Sequence, residues 1–146
     1  MATAIDLSAI RFLLDSNIVS ELIRAHPREL VMQRYKAHRG QMALPTPALH
    51  EVHYGCLRLP MGEKRDRLQS FLNQVVGLLP KVPYDAPAAL LHAQFRAELE
   101  GRGRVLPQVD AQIAAIAIVH SLTLVTRNTR DFEGLPGLRL ANWFED

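Results

Sequence analysis

With 146 residues, 48% of them apolar and 22% charged, the chain has the size and mix of one globular domain covering 1–146. A domain of that length buries roughly 70% of its extended-chain surface, so it folds without disulfides or a structural metal. No apolar run reaches the length of a membrane span, Met1 to Ile10 lacks the basic and apolar regions of a signal peptide, and the single cysteine, Cys56, has no internal disulfide partner, so the expected setting is a reducing cytoplasm.

Regular elements alternate along the chain. Ile10–Leu14 is a short apolar run ending at Asp15 and reads as a buried strand, followed by a helix over Ser16–Arg24. Pro27–His38 reads as a second helix with Pro in its first turn, and Gln41–Leu44 as a short strand. At Thr46-Pro47 a hydroxyl can cap a helix whose next residue tolerates a missing N–H. That helix runs towards Leu59, with Leu49, Val52, Cys56 and Leu59 as its apolar stripe.

Glu63–Val76 is a further amphipathic helix, Leu79–Val82 a strand and Ala86–Leu99 a long helix ended by Gly101 and Gly103. Pro107–His120 is a helix rich in Ala and Ile. Leu122–Thr126 is a strand, Arg127–Arg130 a polar turn and Leu138–Ala141 a last strand. Strands separated by helices imply an α/β domain with parallel pairing and helices on both faces, whose functional crevice lies at the carboxyl ends of the strands.

Three acids stand out. Asp15 ends the first strand, at the edge where chemistry is expected, although helix capping alone would account for it. Glu51 lies in the first turns of its helix on a face shared with Ala48 and Gly55, where small neighbours allow partial enclosure; its bland role is to complement the helix dipole. Asp110 opens the stretch Ala111, Ile113, Ala114, Ala115, Ile116, Ala117, Ile118, a helix apolar all round. A carboxylate there is costly unless it is capped, paired or bound to a metal. Thr126, Asn128 and Asp131 follow another strand, though turn chemistry explains the last two as well.

Net charge is +2, from 17 basic and 15 acidic residues; without Asp15, Glu51 and Asp110, 12 acids face the same 17 bases. Acids gathered at one point of a basic protein suit a site that holds a cation within a surface that holds a polyanion. Oxygen-only ligands with no nucleophile motif suit Mg²⁺ or Mn²⁺ and activation of water for attack on a phosphodiester.

Other chemistries are excluded by pattern. His50-Glu51-Val52-His53 places its histidines three apart, where a zinc protease helix needs four. Gly101-Arg102-Gly103 is too short for a phosphate loop. A phosphoaspartate hydrolase would want an acid at position 17, which is Asn17, and no Gly-x-Ser-x-Gly elbow occurs.

The segment Phe12-Leu13-Leu14-Asp15-Ser16-Asn17-Ile18-Val19-Ser20-Glu21 resembles the opening of PIN-domain toxins of the VapC-like and FitB-like kind. Ala48-Leu49-His50-Glu51-Val52-His53-Tyr54-Gly55 resembles their second motif, Val109-Asp110-Ala111-Gln112-Ile113-Ala114-Ala115-Ile116-Ala117 the third, and Leu124-Val125-Thr126-Arg127-Asn128-Thr129-Arg130-Asp131-Phe132 the fourth. Val82-Pro83-Tyr84-Asp85 is similar to the FitB-like branch.

The resemblance spans nearly the whole chain. It implies a three-layer α/β/α domain with a five-stranded, mainly parallel sheet, Mg²⁺- or Mn²⁺-dependent RNA cleavage and pairing with a small antitoxin. Asp15, Glu51 and Asp110 become the expected metal-site acids, supported by Ser16 and Asn17, and Thr126 the hydroxyl that orients Asp15. Where the family often carries an acid two residues after the Thr, this chain has Asn128, and the nearest acid is Asp131. Either would complete the metal shell or place a second ion.

The reading is therefore an endoribonuclease toxin in which Arg127 and Arg130 contact RNA phosphates. A homodimer is expected, as is a partner that inhibits by placing a basic residue in the acidic cleft, with DNA reached only through that partner. The rival is a catalytically weak PIN-like module acting through its partner in an operator-binding complex. A flap-processing DNA nuclease fits less well, because the chain is short for added DNA-gripping elements.

Overall fold

The strands of this chain are short, the central ones are buried, and they assemble by parallel pairing. A computed structural model describes residues 5–146. In chain order the elements are β1 (Phe12–Leu14), α1 (Ser16–Leu22), α2 (Glu29–Ala37), β2 (Met42–Pro45), α3 (Thr46–Leu57), α4 (Glu63–Gly77), β3 (Lys81–Val82), α5 (Ala86–Gly101), α6 (Gln108–Val119), β4 (Thr123–Val125), a 3-10 turn (Thr129–Phe132) and β5 (Arg139–Ala141).

The five strands lie in the order β3-β2-β1-β4-β5, flanked by helices. The chain moves outward from β1 through β2 to β3, then crosses back to place β4 on the other side of β1. The β1–β4 junction is thus the point where strand order reverses, and the crevice outside its carboxyl ends is where such sheets bind ligands.

The centre of the sheet is buried because β1, β2 and β4 carry almost nothing polar. Leu13, Leu14, Ala43, Leu44, Leu124 and Val125 are fully enclosed, the near-continuous apolar pattern of strands covered on both faces. From α6, Ile113, Ala114, Ala115 and Ile116 are equally enclosed, and its alanines let the backbone come close to its neighbours. Among the described residues, no helix is long and apolar enough to cross a membrane.

Several boundaries differ from the expected ones. α2 begins at Glu29 rather than at Pro27, with Arg28 as its cap and no side-chain capping bond of its own. The acceptor comes from the preceding helix, where the buried carboxylate of Glu21 takes the Arg28 N–H at 3.0 Å. At α3 the cap is Pro45, and the Thr46 hydroxyl makes no capping bond. α3 stops at Leu57, so Leu59 falls outside its stripe, and Ala48 joins Val52 and Cys56 on the buried face. α5 runs through Gly101, and the reversal belongs to Gly103, whose φ of +76° suits a residue without Cβ.

The tight seat of α6 is open to test. Ala115→Leu adds three carbons where no space remains and is expected to destabilise the fold by about 1–3 kcal/mol, read as a lower urea midpoint. An unchanged midpoint would mean that α6 is loosely held.

Candidate active site

The site begins with a buried carboxylate. Asp15 leaves β1 with its own N–H bonded to Val125 O at 2.9 Å, so the β1–β4 pairing sets where it sits. It then caps α1, Oδ1 accepting the Ser16 N–H at 2.8 Å. Oδ2 accepts the Thr126 hydroxyl at 2.9 Å and the Asn17 amide at 3.4 Å. Asp15 is 4% exposed and Thr126 fully buried. Burial pushes the Asp15 carboxyl above its ordinary range, against the bonds from Thr126 and Ser16 that favour its charged form.

Thr126 is held as firmly as the acid it orients. Its hydroxyl oxygen donates to Asp15 and accepts the Asn128 N–H at 3.1 Å and the Asn17 amide at 3.3 Å. Asn17 completes the ring, its carbonyl oxygen taking the Arg127 N–H at 3.2 Å. Residues 110 positions apart in sequence are joined by one side chain.

Asp110 sits in the first turn of α6, half-buried, and its carboxyl is pushed up to about 6. Burial is the largest cause, followed by the charges of Asp15, Glu51 and Asp131. Four carboxylates from four parts of the chain therefore share one field. The structure brings Asp131 into this group, while Asn128 contributes its backbone N–H and an exposed side chain. Glu51 is exposed rather than partly enclosed, on the open side of α3 with Gly55. Arg127 and Arg130 are exposed as well, Arg127 ahead of the 3-10 turn and Arg130 within it.

The donor set fits a hard divalent cation by its chemistry. It is all oxygen, its charges repel one another, and burial raises the proton affinity of two members, so a cation would relieve both burdens. As they stand, no three His, Cys, Asp or Glu side chains among the described residues are near enough to close on one ion. The match is one of charge and ligand type, with Glu51 the long, exposed member able to swing.

The family model for the PIN domain matches residues 12–138. This chain belongs to the PIN domain family. Across 134 residues this PIN domain is 34% identical to the tRNA(fMet)-specific endonuclease VapC of Shigella flexneri, covering 92% of this chain and 98% of the relative. It is 33% identical over 126 residues to the toxin FitB of Neisseria gonorrhoeae, covering 82% and 89%. A chain of the DNA-bound VapBC complex from Salmonella typhimurium superposes with a TM-score of 0.82 at 30% identity, covering 92% and 98%. One from the FitAB complex bound to a DNA fragment also gives 0.82, at 28% identity, covering 92% and 96%.

Sequence reasoning passed over two features of this PIN domain. Glu21, quoted in the first motif, received no role; it is buried and takes both the Arg24 guanidinium at 3.1 Å and the Arg28 N–H. Phe144 carries the guanidinium carbons of Arg127 and Arg28 at 4.6 and 5.5 Å from its centroid. The Glu21 contacts are local, with partners three and seven residues on, whereas the Phe144 contacts have no local sequence signal because Arg28 and Arg127 lie far from it along the chain.

The crowding of charge at Asp110 has a sign that can be measured. The folded protein keeps this proton up to about pH 6, whereas the unfolded chain releases it near 3.8. The ionised carboxyl therefore burdens the metal-free fold at neutral pH, and the burden fades as pH falls from about 6 to about 4. Asp110→Asn is expected to stabilise the metal-free protein at pH 7.5 by about 1 kcal/mol, after allowance for solvent screening at a half-exposed group. Near pH 4 the gain should vanish. Urea unfolding in a chelator gives the comparison, and a substitution that destabilises at pH 7.5 would contradict the crowding.

Proposed function

We propose that this PIN domain is a metal-dependent endoribonuclease, the toxin of a toxin–antitoxin pair acting in the cytoplasm. The observation that carries the reading is the shared field of Asp15, Glu51, Asp110 and Asp131 at the β1–β4 switch point. Relatives named as VapC ribonucleases support the substrate class. Bound Mg²⁺ or Mn²⁺ would supply charge neutralisation at the phosphodiester and activation of the attacking water.

The side chains divide the remaining work. Asp15 is the rigid member: with both oxygens engaged by donors, it keeps one orientation whatever binds beside it. Asp110, whose carboxyl is pushed up to about 6, and the exposed Glu51 are the groups suited to hold a cation or take a proton from water. Thr126, Asn17 and Ser16 are positioning residues, acting through Asp15. Arg127 and Arg130 would meet RNA phosphates beside the acids.

Asn128 and Asp131 both follow β4, and the charge of Asp131 reaches Asp110, which supports Asp131 in the fourth place. It weighs against the catalytically weak alternative that Asn128 had kept open, since the chain supplies an acid three residues later. A partner is part of the proposal. The relatives of known structure include complexes of VapC-like proteins with their antitoxins on DNA, so DNA would be reached through the antitoxin. A guanidinium from it could bridge two of the carboxylates and exclude the metal. Exposed Tyr54, Leu57, Met61 and Phe71 on and between α3 and α4 offer apolar area for a second copy or for the partner.

Purified protein is expected to cleave single-stranded RNA in Mg²⁺ or Mn²⁺, to stop in chelator and to lose at least about a hundredfold in rate as Asp110→Asn. Cleavage that survives both treatments would refute a metal-dependent site. Magnesium titrations then separate the fourth position: Asp131→Asn should raise the concentration for half-maximal cleavage several-fold, and Asn128→Asp should change it little. The opposite pattern would return that place to Asn128.

A further inference from the structure

Two arginines at the rim of the acidic cluster are gathered on one ring. The guanidinium carbon of Arg127 lies 4.6 Å from the Phe144 centroid and that of Arg28 lies 5.5 Å from it. Both arginines are exposed, and neither forms an ion pair among the described residues. Like charges brought to one ring repel, and cation–π attraction to a ring that is not fully buried is weak.

The framework beneath the ring is nevertheless built. Asn142 accepts the Phe144 N–H at 2.9 Å and donates to Arg127 O at 3.3 Å, while Arg34 holds Asn142 O at 2.9 Å. Trp143 is buried against Phe12 and His38. Arg28 is set by the buried Glu21, which takes its N–H. Arg127 is joined through Asn17 to Asp15, so the pair begins one side chain away from the acidic cluster.

We propose that Arg28 and Arg127, held on Phe144, form a phosphate-binding subsite that grips the RNA strand next to the acidic cluster. This deepens the ribonuclease reading and rests on it. An anion shared by two guanidiniums relieves their repulsion, and the forked donors of arginine match phosphate oxygens. A polyanion could not approach four carboxylates unaided. Positive charge anchored at their edge brings the backbone close while the acids keep the cation. Arg28 belongs to the subsite although its position, ahead of α2, lies in none of the four acidic motifs.

The test measures binding apart from cleavage. The full chain carrying Asp110→Asn, in chelator, is titrated against a fluorescent single-stranded RNA oligonucleotide of mixed sequence over a range of salt. Adding Arg28→Ala or Arg127→Ala should weaken binding roughly three- to tenfold, and each should flatten the plot of log affinity against log salt by about 0.7. Phe144→Leu removes no charge but releases both arginines, and should weaken binding several-fold with little change in that slope. Arg67→Ala, on the exposed side of α4, removes the same charge elsewhere and should leave both readings near the parent. The subsite is overturned if both arginine variants bind like their parent, or if Arg67→Ala weakens binding as much as they do, while the unmodified protein still cleaves RNA in Mg²⁺. If the unmodified protein neither binds nor cleaves RNA, the ribonuclease reading itself falls and the subsite with it.

Discussion

The hydrogen bond from Thr126 to Asp15 joins the ends of β1 and β4, and the rest of the site is arranged around it. A carboxylate at 4% exposure is costly to ionise unless donors replace the lost water. Here they come from three directions: the α1 backbone through Ser16, the Asn17 amide and the Thr126 hydroxyl. The first two are local to the end of β1, whereas the Thr126 bond depends on β1 and β4 being neighbours in register, with Leu14 opposite Val125. Chain order alone would separate these strands. The crossover after β3 brings them together and opens the crevice that Asp15 faces.

Around that fixed acid the design becomes one of unbalanced charge. α6 can approach closely because its buried face is largely alanine, and the approach carries Asp110 into the field of three other acids. Nothing cationic among the described side chains offsets them through an ion pair; the two ion pairs, Arg24 with Glu21 and Arg96 with Glu100, lie elsewhere. Such a cluster is a poor way to stabilise a fold and a good way to attract a hard cation or a guanidinium. The proposed metal and the proposed arginine of a partner would thus compete for the same charge. The surrounding arginines add a second region of opposite sign, held open by an aromatic ring rather than quenched by carboxylates.

Much of the architecture was legible because its signals are local. Apolar runs such as Phe12–Leu14 and Leu124–Val125 could hardly be other than buried strands, and the Ala/Ile stretch after Asp110 could hardly be other than an enclosed helix. Element ends were less legible. The cap of α2 depends on Glu21, seven residues upstream, and a proline two residues before the helix was a misleading sign of its start. At α3 the hydroxyl of Thr46 looked like a cap, yet Pro45 already has the extended backbone the cap position needs.

The acids themselves stand out in the chain because a carboxylate beside apolar sequence is physically conspicuous, and Asp15 and Asp110 are both of that kind. Glu51 is less so, and its exposure on α3 differs from the enclosure its small neighbours suggested. Asn128 and Asp131 were equivalent as letters in a polar turn; only the 3-10 turn brings the charge of Asp131 to bear on Asp110. Sequence by itself determined the alternation of strands and helices, the burial of α6 and the identity of the acids, because hydrophobic periodicity and the cost of burying charge act over a few residues. Tertiary structure decided which acids share a field and which arginines share a ring, because electrostatic and aromatic contacts depend on distance in space, and the crossover from β3 back to β4 brings together residues 111 positions apart such as Asp15 and Thr126.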